Sequence, residues 1–288
     1  AKSGDSAFFE KDLFLQSPEE MKKLSRLAGA GMAWLSQYEE RGRSQLPTAW
    51  KGDGANPIVV FRSSADDPLQ YYLGAKGGRA TVSHGNMDAG AFVFELNGVR
   101  WVVDPGNQSY HALEKTGFKL WGKHQNSERW TLLTKNNYGH STITVNGSLF
   151  LCDQYAPLID FKDGSTPEAT FDLTPVYGKD LRSATRRFVK DGPASLLIED
   201  HLDMSDATEK VTWQLVTTSE VDIREGGADL RHDGKRLRLD VLSHPDLKVS
   251  VVSLYPPPMK LDRRIKGLKR LEVDIPVGLG AGGTVEFR

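Results

Sequence analysis

The chain has 288 residues, of which 39% are hydrophobic, and it carries a formal net charge of -1. This composition suits an ordinary globular core, and so nearly neutral a chain gives no electrostatic reason to expect nucleic-acid binding. No apolar run approaches the roughly 20 residues that a membrane-spanning helix needs, and the single cysteine, Cys152, excludes an intrachain disulfide.

The first predicted element is a helix near the N-terminus. Ser17-Pro18-Glu19-Glu20 forms a capping box with proline at the first helical position. Apolar residues then recur at near-helical spacing, which predicts one helix from about Ser17 to Glu40. We therefore assign residues 1–45 to a short N-terminal helical segment that precedes the main domain.

From Ile58 onward, the chain consists of short apolar runs separated by turn signals. Four dipeptides that favour tight hairpin turns lie between candidate strands, namely Asn97-Gly98, Asn146-Gly147, Asp191-Gly192 and Asp233-Gly234. The run LKVSVVSLY, residues 247–255, is nearly continuous in apolar residues and predicts a central strand. Many strands without intervening helices predict an all-β fold, a large antiparallel β-sandwich (supersandwich) over residues 46–288.

The hairpin at Asn97-Gly98 decides which polar residues come together. A two-residue type I′ turn at this pair sets the register of the two strands. Outward from the turn, the predicted pairs are Leu96 with Val99, Glu95 with Arg100, Phe94 with Trp101, Phe92 with Val103 and Ala91 with Asp104. Asp104 is therefore expected beside the loop that holds His84, Asn86 and Asp88.

The residues alone leave two interpretations of this cluster open. In the first, Asp88 and Asp104 cap backbone amides at strand ends, and His84 is an ordinary loop histidine. In the second, some of these residues bind a metal ion or an acidic ligand. Histidine and carboxylates without cysteine suit zinc, manganese or calcium.

A second polar cluster follows in the loop WGKHQNSERW, residues 121–130. Trp121 can stack on the face of a sugar, while Gln125 and Arg129 can bind hydroxyl and carboxylate groups. The alternative is a rim loop that its two tryptophans anchor. Further along, His140 lies at the entrance of a predicted strand, where a lone histidine is more often structural than a ligand.

Three separated stretches occur in an order that is typical of one family. They are PTAWKGDGANPIVVFRS from Pro47 to Ser63, HGNMDAG followed by GVRWVVDPG, and RW followed by NNYGHSTITVNG. In this order they resemble the heparinase II/III-like polysaccharide lyases, which join a helical toroid to a C-terminal antiparallel β-sandwich. The resemblance implies that the chain is the C-terminal part of such a lyase, and that an N-terminal toroid of the same protein is its partner.

The resemblance also implies roles for individual residues. His84 takes the place of the active-site histidine, which helps to hold the acidic group of the substrate. Asp104 and His140 match two positions that bind a metal in family members, and Asn86 stands where another metal-binding histidine is usual. One divalent cation, calcium or zinc, is thus implied as a cofactor. Because an amide oxygen is a harder and weaker ligand than imidazole, Asn86 favours calcium or no metal over zinc.

The implied reaction is β-elimination at a uronic acid, in an acidic polysaccharide or oligosaccharide of the heparin, heparan sulfate or alginate type. A base removes the proton next to the carboxylate, and an acid protonates the leaving glycosidic oxygen. The resemblance puts the base and the catalytic tyrosine largely in the toroid, so the isolated chain is expected to be inactive. It also implies a periplasmic or secreted protein. A non-catalytic carbohydrate-binding or structural sandwich is the alternative.

Overall fold

A computed structural model describes residues 3–9, 28–64, 66–244, 246–279 and 283–288. The chain divides into two compact units, Ala1–Pro47 and Thr48–Arg288.

The described part of the first unit is a 3₁₀ helix over Ser6–Phe9 and a short α-helix, α1, over Ala28–Leu35. Residues 17–27 of the predicted helix lie outside the described residues. The expected continuation to Glu40 is wrong, because α1 ends at Leu35. The Ser36 hydroxyl donates to the Ala33 carbonyl at 2.9 Å, and the Gln37 N–H bonds back to the Trp34 carbonyl at 3.2 Å. These bonds close the last turn of the helix.

The second unit contains seventeen strands within the described residues, together with two short α-helices and four 3₁₀ helices. The α-helices are α2 (Tyr110–Glu114) and α3 (Thr174–Tyr177). The strands are β1 (Ala49–Gly52), β2 (Ile58–Arg62), β3 (Tyr72–Lys76), β4 (Phe92–Leu96), β5 (Val99–Val102), β6 (Ile143–Val145), β7 (Leu158–Lys162), β8 (Glu168–Asp172), β9 (Leu181–Val189), β10 (Leu197–Met204), β11 (Val211–Thr217), β12 (Glu220–Arg224), β13 (Gly227–His232), β14 (Lys235–Asp240), β15 (Val249–Ser253), β16 (Lys269–Ile275) and β17 (Gly283–Phe287).

These strands form four sheets whose neighbouring strands are all antiparallel. Their spatial orders are β1-β2-β3-β4-β5, β17-β10-β9-β8-β7, β15-β16-β11-β6 and β12-β13-β14. The predicted all-β antiparallel fold is confirmed.

One large hydrophobic core joins the four sheets. It includes Phe94 from the first sheet, Phe188 from the second, Trp213 from the third and Leu230 from the fourth. All seven residues of β11 are buried, and the Trp213 ring stacks on that of Phe287 with centroids 3.9 Å apart. Burial of aromatic surface from every sheet is the main stabilising contribution to such a core.

The predicted central position of residues 247–255 is wrong. β15 is an edge strand, with β16 as its neighbour in the sheet, and its last four residues are exposed. An apolar run predicts a strand but does not determine how many neighbours the strand has, because the neighbours come from distant parts of the chain.

The hairpin between β4 and β5 has the predicted turn. Asn97 and Gly98 have φ angles of 56° and 73°, as a type I′ turn requires. The first two pairs, Leu96 with Val99 and Glu95 with Arg100, also agree with the prediction.

Beyond those two pairs the predicted register is wrong. A β-bulge sets Phe94 opposite Val102 instead of Trp101, and β5 ends at Val102, so the pairs of Phe92 with Val103 and Ala91 with Asp104 do not form. The bulge allows two consecutive residues, Trp101 and Val102, to be buried together. The Trp101 indole N–H donates to the Leu96 carbonyl at 3.1 Å.

Candidate functional site

Two long loops bring most of the predicted polar residues together. The loop from β3 to β4 carries His84 and Asn86, and the loop from β5 to β6, residues 103–142, carries Asp104 and His140. The Met87 N–H donates to the Lys135 carbonyl at 2.9 Å, and the Thr142 hydroxyl donates to the Ala89 carbonyl at 2.7 Å. These bonds hold the two loops against each other.

His84 is exposed and has a φ of 60°, in the left-handed region that residues other than glycine seldom adopt. It lies within a turn in which the Gly85 N–H donates to the Val82 carbonyl at 3.0 Å. A Cβ atom on Gly85 would lie 2.5 Å from the Ala80 carbonyl oxygen, so the turn needs glycine after His84. Strained backbone conformations cluster at functional sites.

His84 belongs to an aromatic cluster with Tyr110, which is half-buried, and Trp121, which is exposed. Its Nδ1 atom lies 3.0 Å from the Tyr110 hydroxyl, and the two rings stack with centroids 5.5 Å apart. Trp121 stands edge-on to both rings, at 6.0 and 5.2 Å, and is 52% exposed. The Trp121 indole N–H donates to the Glu114 carboxylate at 2.7 Å, which fixes its orientation.

Sequence analysis missed Tyr110. This residue begins α2, whose N-terminus is capped by the Ser109 hydroxyl, and a cap of this kind predicts only a helix. No local pattern connects Tyr110 with His84, which lies 26 residues earlier.

A mostly buried polar group lies beside the aromatic cluster. Lys135 is 2% exposed, and its ammonium donates to Asn86 Oδ1 at 3.0 Å and lies 5.3 Å from the centroid of the Tyr110 ring. Asp88 forms a salt bridge with Lys76. Lys76, Asp88 and Asp104 line a common cavity of about 300 Å³. Sequence analysis missed both Lys76 and Lys135.

Burial lowers the pKa of Lys135, and the nearby charge of Arg129 lowers it further, to about 8, against the opposing effect of Asp88 and Asp104. The side chain is therefore still mostly protonated at neutral pH. A buried positive charge thus lies near the half-buried Tyr110 ring, on which the exposed His84 stacks.

Asp104, which lines the same cavity as Lys76 and Asp88, forms a close pair with His140. Nδ1 of His140 donates to Oδ2 of Asp104 at 2.6 Å, and Oδ1 of Asp104 accepts from the Gly106 N–H at 2.8 Å. Burial opposes the charge of each partner. The charge of the other partner and the hydrogen bond between them nevertheless hold the pKa of Asp104 below its ordinary value and that of His140 above it.

Two of the three predicted metal ligands have protein partners in their present arrangement, whereas Nε2 of the buried His140 has no hydrogen-bond partner among the described residues. Asn86 Oδ1 accepts from an ammonium group, and both oxygens of Asp104 already have protein partners. Among the described residues, no group of three or more His, Cys, Asp or Glu side chains is arranged to hold a metal ion.

The three residues predicted to bind substrate have different surroundings. Trp121 belongs to the aromatic cluster. Arg129 is buried beneath His84, where it donates to the Gly85 carbonyl at 2.6 Å. Both polar atoms of the Gln125 side chain bond to backbone, since Gln125 donates to the Phe150 carbonyl and accepts from the Cys152 N–H, each at 2.8 Å. Gln125 therefore stabilises the segment around Phe150 and Cys152.

Comparison with solved structures shows a shared fold. A heparinase III structure superimposes with a TM-score of 0.59 and 13% sequence identity, over 87% of this chain and 37% of that chain. Heparan sulfate lyase HepC from Pedobacter heparinus gives a TM-score of 0.60 and 16% identity, over 91% of this chain and 40% of that chain. The chain thus spans about two fifths of the length of these structures.

A family model identifies the family of the chain, whereas the curated proteins offer no match. No curated protein matches the chain, and none of the helices in its described parts has the length and apolar character to cross a membrane. The family model described as "Heparinase II/III-like, C-terminal" matches residues 60–253. The motif resemblance is confirmed, and the chain belongs to the heparinase II/III-like C-terminal domain family.

Proposed function

We propose that this chain is the C-terminal domain of a polysaccharide lyase that cleaves a uronic-acid-containing polymer, heparan sulfate-like or alginate-like, by β-elimination. The observation that carries the proposal is the exposed His84, stacked on Tyr110 and flanked by Trp121. An N-terminal toroid of the same protein would supply the base and the acid. The protein would be periplasmic or secreted, in keeping with its family.

The chemistry of His84 suits the carboxylate of a uronic acid. When the Tyr110 hydroxyl donates to Nδ1 of His84, the neutral ring carries its proton on Nε2 and can donate it to an anionic oxygen. A hydrogen bond to the carboxylate stabilises the negative charge that develops as the adjacent carbon loses its proton. Trp121 offers an exposed ring on which a sugar can stack.

The charges behind the aromatic cluster favour an acidic sugar over a neutral one. Arg129 and Lys135 are both buried there, Arg129 under the Gly85 carbonyl and Lys135 beside the Tyr110 ring. Buried positive charge in low-dielectric surroundings attracts an anion more strongly than the same charge in water.

The test uses the full-length protein, including the part that precedes this chain. Heparin, heparan sulfate and alginate are each incubated with the enzyme, and unsaturated uronate ends are followed by their absorbance. We expect His84→Ala to lower turnover by about 100-fold or more. His201→Ala is the matched control, because His201 is also exposed and its Nδ1 also bonds a hydroxyl group, that of Thr284, at 2.7 Å.

The outcomes separate the lyase from its alternative. An unsaturated product that depends on His84 supports the lyase. Binding of these polymers without any product would instead support a non-catalytic carbohydrate-binding sandwich, and a full-length protein that neither binds nor cleaves them would contradict both.

A further inference from the structure

Lys135 introduces a positive charge among the residues that sequence analysis predicted as metal ligands. The side chain is 2% exposed, and its ammonium donates to Asn86 Oδ1 at 3.0 Å. The backbone holds it in this position, since the Lys135 N–H donates to the Leu132 carbonyl at 2.9 Å and the Lys135 carbonyl accepts from the Met87 N–H at 2.9 Å. Lysine is seldom buried to this extent without a partner.

The chemistry of Asn86 matches an ammonium neighbour. Its carbonyl oxygen accepts from Lys135, while its Nδ2 atom points toward Asp88 Oδ2 at 3.5 Å. An amide can accept and donate in this way at once. Asparagine thus connects the ammonium of Lys135 with the carboxylate of Asp88.

The two carboxylates of this cluster already have cationic partners without a metal. Asp88 pairs with Lys76, and Asp104 pairs with His140. A divalent cation bound to Asn86 would need the amide oxygen that Lys135 now uses. It would also add positive charge beside Lys135, which already lies near the buried guanidinium of Arg129, and this is costly in a low-dielectric interior.

We infer that the Lys135 ammonium is the built-in cation of the cluster formed by Asn86, Asp88 and Asp104, and that it holds this loop in place of a divalent metal. The inference concerns the site itself and does not depend on the proposed lyase reaction.

The first test measures metal in the purified protein at neutral pH. We expect substoichiometric calcium and zinc after dialysis, and a melting temperature that EDTA, calcium and zinc each change by less than about 1 °C. One equivalent of either metal retained through dialysis, with a melting temperature that falls on chelation, would overturn the inference.

The second test converts the site into a metal site. Asn86→His restores an imidazole, and Lys135→Met removes the ammonium with little loss of side-chain volume. We expect the double variant to gain a zinc-dependent rise in melting temperature of about 4 °C or more at saturating zinc, and Asn86→His alone to show none. Asn86→His combined with Lys123→Met is the control, because Lys123 is an exposed lysine of the neighbouring loop.

Two results of this second test count against the inference. If Asn86→His alone binds zinc as tightly as the double variant, the ammonium does not occupy the site. If the double variant folds and binds no zinc, the ammonium does not stand in the place of a metal ion. If the double variant fails to fold, the metal content of the wild-type protein still tests whether the site holds a divalent metal.

Discussion

The rings of His84 and Tyr110 are stacked at 7° to each other, and the Tyr110 hydroxyl lies 3.0 Å from Nδ1 of His84. The partner of Nδ1 determines which nitrogen of a neutral imidazole carries the proton. We therefore expect the Tyr110 hydroxyl to influence which nitrogen of His84 carries the proton.

We predict that Tyr110→Phe weakens binding of a uronic oligosaccharide by about 3- to 10-fold, the usual value of one hydrogen bond. Stacking on His84 is kept, so the change isolates the hydroxyl. Calorimetry gives the affinity, and ¹⁵N NMR of the imidazole shows whether the tautomer of His84 changes. Tyr155→Phe, which loses a bond to the Gly54 carbonyl, is the control. An unchanged tautomer and affinity in Tyr110→Phe would show that the hydroxyl has no such role.

Trp121 is predicted to bind the sugar face. Trp121→Ala should weaken oligosaccharide binding by about 5-fold or more, since aromatic stacking contributes about 1 kcal/mol beyond the area that it buries. Trp50→Ala is the matched control, because Trp50 on β1 is 46% exposed and distant in sequence from the site. Equal losses in both variants would indicate a nonspecific effect of removing an exposed tryptophan.

The Asp104–His140 pair should make stability depend on pH. The pKa of His140 is raised above 6.5, so its contribution is complete below pH 6.5 and is lost as the pH rises through the folded value. The pKa of Asp104 is lowered below 3.8, so its contribution is complete above pH 3.8 and is lost as the pH falls through the folded value. The pair is thus most stabilising between pH 3.8 and 6.5.

Urea denaturation of Asp104→Asn measures this effect. We expect the variant to lose about 2 kcal/mol of unfolding free energy within that window, and less at alkaline pH. Asp233→Asn is the control, because Asp233 pairs with His232 at 3.7 Å on an exposed turn. A loss that is the same at all pH values would mean that the pair is not ionised in the folded protein.

The buried pair of Arg186 and Asp200 should be essential for stability. Both side chains are fully buried, and the guanidinium also donates to the carbonyls of Gly90 and Ser141 at 3.0 and 3.3 Å. Those carbonyls belong to the two loops of the site. Asp200→Ala leaves a buried unpaired charge and should cost about 3–5 kcal/mol in urea denaturation.

The control for this pair is Asp206→Ala. Asp206 pairs with Arg182 on the surface at 2.8 Å, and removal of a surface partner should leave stability nearly unchanged. If Asp200→Ala is as mild as Asp206→Ala, the buried pair does not hold the two loops.

Local patterns in the sequence determined the all-β class and the turn at Asn97-Gly98. Both follow from short-range physics, since alternation reflects the pleat of a strand and positive φ at two successive residues selects Asn-Gly. The polar group around His84 was likewise expected from its position at the open end of this hairpin.

Only the tertiary structure decided the bulge at Trp101, the edge position of β15 and the contacts of Tyr110 and Lys135. Each depends on residues far apart in the chain: the core shared by four sheets buries Trp101 and Val102 together, and two loops meet to set Lys135 against Asn86. Packing and charge pairing of this kind have no local signature, because the partner of each group is chosen by the fold as a whole.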